Sequence, residues 1–158
     1  MTGAPEPVPP ILARRPTMPE LPATHCPVSA VPAAPSDVAW RHFEALLAFE
    51  TDCWDVHAGL ARSPASFVLL DVRSPEAFAK GHVPGAVNLP HGRIVERNLE
   101  RWPATTLFVV TCAGPHCNGA DRAALRLARL GRPVKKMIGG VTGWLDEGFR
   151  LVHGTWGA

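Results

Sequence analysis

No apolar periodicity is visible in the chain before about Ser36. From there SDVAWRHFEALLAFE brings Val38, Trp40, Phe43, Leu46 and Leu47 to spacings that stripe one side of an amphipathic helix, with Ser36 as its N-cap. DCWDVHAGLAR predicts a second helix, capped by Asp52 with Asp55 three positions on, and Ser63-Pro64 stops it. The run FVLLDV, Phe67 to Val72, is continuously apolar and rich in branched side chains, the pattern of a strand buried on both faces. SPEAFAKG then supplies a Ser74 cap, Pro75 at the first helical position and Gly81 as a stop. AVNLP reads as a second short strand, and RIVERNLERW, from Arg93, as a further helix that Pro103 ends. LFVVTC predicts another buried strand ending at Cys112. A helix from about Gly119 to Leu130 follows, capped by Asn118 with Asp121 and closed by Gly131. Val134 to Ile138 is a last strand, and VTGWLDEG a short helix after Gly139-Gly140.

Strands alternating with helices predict an α/β fold built on a parallel sheet. In such sheets ligands bind beyond the carboxyl ends of the strands. Asp71, Val72 and Arg73 leave one strand at that edge, and Cys112 leaves the LFVV strand at the same edge. The fold is therefore expected to bring together residues that lie some forty positions apart. There is no internal repeat.

At 158 residues the chain is long enough for one domain with a real core. A net charge of +2 is too small to argue for nucleic acid. Ten of the seventeen prolines fall between Pro5 and Pro35, in a segment without apolar pattern, so residues 1–35 are expected to be a disordered leader and 36–158 the domain. The prolines also interrupt every apolar stretch that could serve as a signal peptide, and Met18 offers a second candidate start. No apolar run approaches the roughly 18 residues of a membrane span. The expectation is a cytoplasmic protein with no membrane or nucleic-acid partner, a monomer or homodimer.

The four cysteines are Cys26, Cys53, Cys112 and Cys117. With no export signal, structural disulfides are not expected. Cys26 lies in the leader, and Cys53 reads as an incidental helix residue. Cys112 stands apart, because a loop of Ala113, Gly114, Pro115, His116, Cys117, Asn118 and Gly119 carries the chain straight from it into a helix N-terminus. Gly114 and Gly119 let successive N–H groups turn inward, and the helix start adds a positive dipole end. Such a cradle favours an anion: a thiolate, an oxyanion, or the outer sulfur of a persulfide. The alternative is that Cys112 is a packed residue ending a buried strand.

The pieces VLLDVRSPEAFAKGHVPGAVNLP, LFVVTCAGPHCNGADRAALRLARLG and VKKMIGGVTGW occur in order and at proper distances, and the chain from about Phe67 to Phe149 resembles a rhodanese domain of the single-domain sulfurtransferases. The resemblance implies a rhodanese-like fold with a central five-stranded parallel sheet and helices on both faces. It implies that Cys112 takes sulfane sulfur from a small donor such as thiosulfate and passes it to a thiol or cyanide acceptor, with no metal or organic cofactor. Asp71 and Arg73 match an acidic–basic pair that braces the strand end, His82 a packing position, and Trp144 another near the active-site edge. Arg122 faces either the loop or solvent, and His91, Arg93 and His116 are the nearest cations for an anionic donor.

The loop departs from the family. Where an arginine usually closes the cradle this chain has Cys117, and counted to ALRLARLG the loop is two residues longer. Cys117 stands ahead of Arg122 in C-N-G-A-D-R and competes as nucleophile, but that choice would put the thiol in or beside the helix, so Cys112 is preferred. An enlarged loop also suits the phosphatases and arsenate reductases that share this fold, and a non-catalytic binding or sulfur-carrier module is the third reading. Cys117 itself is either a resolving thiol or a small residue filling the loop. The filler is preferred here, since a disulfide across the cradle would disturb its N–H groups. Zinc is not expected, because Cys112, His116 and Cys117 give at most three crowded ligands.

The proline-rich leader yields the first prediction. A chain starting at Ala34 is expected to keep the melting temperature and activity of the full chain. A large drop in either, measured by thermal denaturation and sulfur transfer, would show that residues 1–33 pack on the domain.

Overall fold

The computed structural model describes residues 26–62 and 65–154. The chain divides into two units, 1–35 and 36–158. Most of the expected leader lies outside the described residues; its described part holds a turn closed by the Ser29 N–H on the Cys26 carbonyl.

In the second unit the elements run α1 (Ser36–Phe49), β1 (Glu50–Thr51), α2 (Cys53–Leu60), β2 (Phe67–Asp71), α3 (Pro75–Lys80), β3 (Val87–Asn88), β4 (Leu107–Thr111), α4 (Gly119–Arg129), β5 (Val134–Met137) and α5 (Gly140–Asp146). The five strands form one all-parallel sheet in the order β1-β5-β4-β2-β3. Connections that step toward the β3 edge pack on one face and those that step back pack on the other, as right-handed crossovers require. Alternate residues of the central strands feed the two cores. Leu70, Phe108 and Val110 lie with Ala123 and Leu127 of α4, while Leu69 and Val109 lie with Val56 of α2, Phe78 of α3 and Trp144 of α5. Burial on both faces explains why β2 and β4 read as unbroken apolar runs.

Local chemistry sets most of the helix ends. The Asp55 N–H donates to Asp52 Oδ1 at 2.8 Å and the Ala77 N–H to Ser74 Oγ at 3.3 Å, so both expected caps form. At the end of α4 the Arg132 N–H reaches back to the Leu127 carbonyl at 2.9 Å around Gly131, the expected stop. Asn118 precedes α4 but makes no side-chain cap bond, and Ser36 is itself the first helical residue of α1.

Two further expectations, on RIVERNLERW and on Cys53, are corrected. RIVERNLERW does not form a helix; it makes two 3-10 turns, His91–Arg93 and Glu96–Asn98, separated by extended Val95. The adjacent β-branched Ile94 and Val95 resist helix, and the Asn98 amide donates to the Arg93 carbonyl at 2.7 Å instead of continuing a helical ladder. The apolar stripe of α1 is not buried: Val38, Trp40, Phe43 and Leu47 are exposed and Leu46 half-buried. The end of the helix is tied to β5, with Lys135 Nζ donating to the Leu47 carbonyl at 2.8 Å. Cys53, expected to be incidental, is buried beneath the Gly139-Gly140 turn, its Sγ 3.5 Å from the Ile138 carbonyl oxygen. Burial pushes its thiol up to about 11. No described helix is long and apolar enough to cross a membrane.

The tightest backbone approach in the fold is at Gly140, whose φ is +61°. A Cβ there would lie 2.6 Å from the Cys112 carbonyl oxygen and 2.9 Å from the Gly114 nitrogen. Gly140→Ala is therefore expected to cost about 2 kcal/mol or more, lowering the melting temperature by roughly 5–10 °C. Gly92→Ala, with open space around it, should change stability by less than about 0.5 kcal/mol. Equal melting curves for the two variants would contradict the assignment.

Candidate active site

The sheet reverses its winding between β2 and β4, the pair bonded along five residues from Phe67↔Leu107 to Asp71↔Thr111. Both strands release their carboxyl ends there, the place where open α/β sheets bind ligands. The Val72 N–H continues the ladder onto the Thr111 carbonyl at 3.0 Å, and Cys112 is the next residue. Its side chain is 6% exposed.

Beyond Cys112 the chain bends through Gly114–Cys117, with the Cys117 N–H donating to the Gly114 carbonyl at 3.0 Å and Pro115 at the position where its fixed φ suits a turn. α5 holds the other side. The Val141 N–H donates to the Cys112 carbonyl and the Thr142 N–H to the Ala113 carbonyl, both at 3.0 Å, and Thr142 Oγ1 adds a bond to Ala113 at 2.9 Å. Gly119 opens α4 against the sulfurs: a Cβ there would sit 2.7 Å from Cys112 Sγ and 3.4 Å from Cys117 Sγ. The result is a cavity of about 140 Å³ lined by both thiols, Gly114, Pro115, Ala120, Asp121, Lys136 and the backbone from Met137 to Gly140.

The two thiols titrate in opposite directions. Burial pushes Cys112 up to about 11, helped by the adjoining Cys117 thiol and the Asp71 charge, while the Ala113 N–H pulls the other way. Cys117 is held below the usual thiol range, chiefly by hydrogen bonding from Cys112, with the Gly119 and Ala113 amides adding to it.

Each residue singled out in the sequence has a definite place. Asp71 is fully buried; Arg73 grips it through Nε at 2.9 Å and a terminal guanidinium nitrogen at 2.6 Å. The same guanidinium donates to the Gly81 carbonyl at 2.7 Å, and the Asn88 amide donates to the Asp71 and Arg73 carbonyls. The pair ties the β2 terminus to the end of α3 and to β3, and does not line the thiol cavity. His82 is buried, stacked on Phe78 with ring centroids 3.6 Å apart, and bonded by its backbone to Val152 in both directions. Arg122 turns away into a separate groove of about 550 Å³ shared with His91, Glu96, Arg126 and Arg129. His116 and Asn118 are exposed on the outside of the loop, and Arg93 is exposed in its 3-10 turn. The loop, Cys112 and Cys117 therefore come together, whereas Arg122, His91 and Arg93 stand elsewhere.

Lys136 was not singled out in the sequence. It is the cation at the cavity wall, with Nζ 3.0 Å from both Glu50 Oε1 and Asp121 Oδ1, and these carboxylates raise it above the ordinary lysine range. Only the pairing of β1 with β5, Glu50 opposite Lys136, assembles this cluster. A cavity of this size, holding a thiol pair beside an ammonium, suits an anion of a few atoms better than a large ligand. A wider depression of about 620 Å³ over His57, Trp144 and Phe149 is lined by no cysteine.

Comparison with known proteins agrees with this architecture. An HTH-type transcriptional regulator of Mycobacterium tuberculosis, Rv0324, is 35% identical over 100 residues, 59% of this chain and 43% of the regulator. The chain thus spans less than half of that relative's length. The crystal structure of the BH2092 protein from Bacillus halodurans superposes with a TM-score of 0.71 at 33% identity, covering 74% of this chain and 85% of that one. A thiosulfate sulfurtransferase from Pseudomonas aeruginosa matches with a TM-score of 0.57 at 27% identity, over 76% of this chain and 22% of that one. The family model described as rhodanese-like domain matches residues 55–147, from α2 to just past α5, and so by sheet order, loop position and family match alike this chain belongs to the rhodanese-like domain family.

Proposed function

We propose that the protein is a sulfurtransferase in which Cys112 carries sulfane sulfur from a small anionic donor such as thiosulfate to a thiol or cyanide acceptor. The observation that carries the reading is the location of Cys112: a thiol at the carboxyl end of β4, at the sheet's reversal point, inside a cavity sized for a few heavy atoms. The likeness to a thiosulfate sulfurtransferase supports it.

Loading begins when Cys112 gives up its proton to solvent, because burial keeps the thiol protonated at rest. The Cys112 thiolate then attacks the outer sulfur of thiosulfate. The donor's S–S bond breaks and sulfite leaves with the electron pair, so Cys112 holds a persulfide. An external thiolate or cyanide removes the outer sulfur and restores Cys112. The Ala113 and Gly119 amides stabilise the anionic sulfurs in each state. Phosphoryl or arsenate chemistry is disfavoured by the charge of the site. No guanidinium lines the cavity, and Lys136 is already shared between two carboxylates.

Mass spectrometry after thiosulfate treatment is expected to find one added sulfur, on the Cys112 peptide. Cys112→Ser should keep the parent's circular dichroism and melting curve while transfer falls to background, and full activity in that variant would falsify the assignment. The protonation pattern also has a direct readout. At a pKa near 11 Cys112 holds on the order of 100-fold less thiolate at neutral pH than an ordinary thiol. Iodoacetamide at pH 7 is therefore expected to label Cys117 before Cys112, with Cys112 labelling still accelerating as the pH approaches 11. Faster labelling of Cys112 at pH 7, read by peptide mapping, would reverse that order.

A further inference from the structure

We propose that Cys117 is a resolving thiol, which attacks the persulfide on Cys112, releases hydrosulfide and leaves a Cys112–Cys117 disulfide. The inference rests on the sulfur-carrying role of Cys112 and adds a second activity, sulfide release without an external thiol. It reverses the filler role favoured from the sequence, because the geometry removes the reason for that choice.

The first ground is placement. Gly119 brings the two sulfurs to one point of the cavity: a Cβ there would lie 2.7 Å from Cys112 Sγ and 3.4 Å from Cys117 Sγ. A sulfur added to Cys112 must enter this small space, with Cys117 forming part of its wall.

The second ground is what surrounds the persulfide. A stored persulfide anion is best protected by a fixed cation aimed at it. Here Arg122 points into another groove, and Lys136 is bound to Glu50 and Asp121. Asp71 and Asp121 add negative charge nearby. The position that would complete a cationic cradle holds instead a second sulfur, whose thiol lies below the usual range. A thiolate beside a persulfide is the arrangement for exchange.

The third ground is how the loop is anchored. The carbonyls of Cys112 and Ala113 are bonded to α5, so that side of the cradle stays in place whatever Cys117 does. Cys117 belongs to the other side, where Pro115, His116 and Asn118 meet solvent and the turn is closed by the single Cys117–Gly114 backbone bond. A small inward displacement of that turn leaves the α5 bonds intact.

The step balances without an outside oxidant. The Cys117 thiolate attacks Cys112 Sγ, a Cys112–Cys117 S–S bond forms, and the Cys112 Sγ–sulfur bond breaks with the electron pair leaving as hydrosulfide. The sulfane sulfur is reduced to sulfide as the two cysteines are oxidised to a disulfide. An external low-molecular-weight thiol or a dithiol protein then reduces the disulfide for the next turnover.

The test uses the full reduced chain with excess thiosulfate and no added thiol, followed by non-reducing peptide mapping and quantitative trapping of sulfide. The parent is expected to yield the Cys112–Cys117 disulfide in a major fraction with about one hydrosulfide per disulfide. Cys117→Ala, and Cys117→Ser should the first variant fold poorly, should retain the added sulfur on Cys112 and release at least roughly tenfold less sulfide. A parent that holds its persulfide as long as both variants, without disulfide, would overturn the resolving role and leave the carrier role of Cys112 standing. Added sulfur on Cys117 in a Cys112→Ala variant would overturn the assignment of roles. Absence of added sulfur, disulfide and sulfide in every protein would overturn both readings together.

Discussion

Two hydrogen bonds, from the Val141 and Thr142 amides to the carbonyls of Cys112 and Ala113, carry more of this site than any side chain does. They dock the first turn of α5 onto the strand end that presents the thiol. They form only because Gly140 can approach the Cys112 carbonyl more closely than any residue with a Cβ. Cys53, packed beneath the same turn, supports it from α2 on the far face. The site is therefore clamped by backbone from β4 and α5, with α4 beginning directly over the sulfurs. Side chains are left to decide charge and reactivity.

That division explains the electrostatics. Burial raises Cys112, and nothing in the cavity supplies an uncommitted positive charge to bring it down. Cys117, held below the usual thiol range, stands beside it in the same cavity. The ion pair of Asp71 with Arg73 does a different task. With one partner fully buried and every strong contact made inside the β2–α3 corner, it fixes that corner. Removing either partner alone would leave a charge without compensation. The Lys136 cluster is at the opposite wall, half-exposed, where its strength depends on salt.

Legibility followed the reach of the forces involved. FVLLD and LFVV were readable as strands because burial on both faces demands unbroken apolar runs, and Asp52, Ser74 and Gly131 were readable because capping is settled within a few residues. β1 was not, since two residues, Glu50 and Thr51, carry no pattern and become a strand only by pairing with β5. RIVERNLERW misled because its apolar spacing fits a helix, while Ile94 and Leu99 reach the core equally well from two tight turns. In α1 the stripe is real, but amphipathicity states only that a face is apolar and not what lies against it.

Short stretches of the chain carry the class of fold, the strand that ends in Cys112, the glycine-bearing loop behind it, and a second cysteine where a cation would be expected. These are properties of short segments, expressed through burial periodicity, capping and backbone freedom. Tertiary structure decided which side chains face that loop. It turned Arg122 away, brought Lys136 and Asp121 in, set Cys53 beneath the α5 turn, and placed Cys117 against the same glycine as Cys112. Such choices depend on strand register and helix rotation between segments far apart in the chain, and a side chain's direction across a sheet edge is fixed only once those segments have packed.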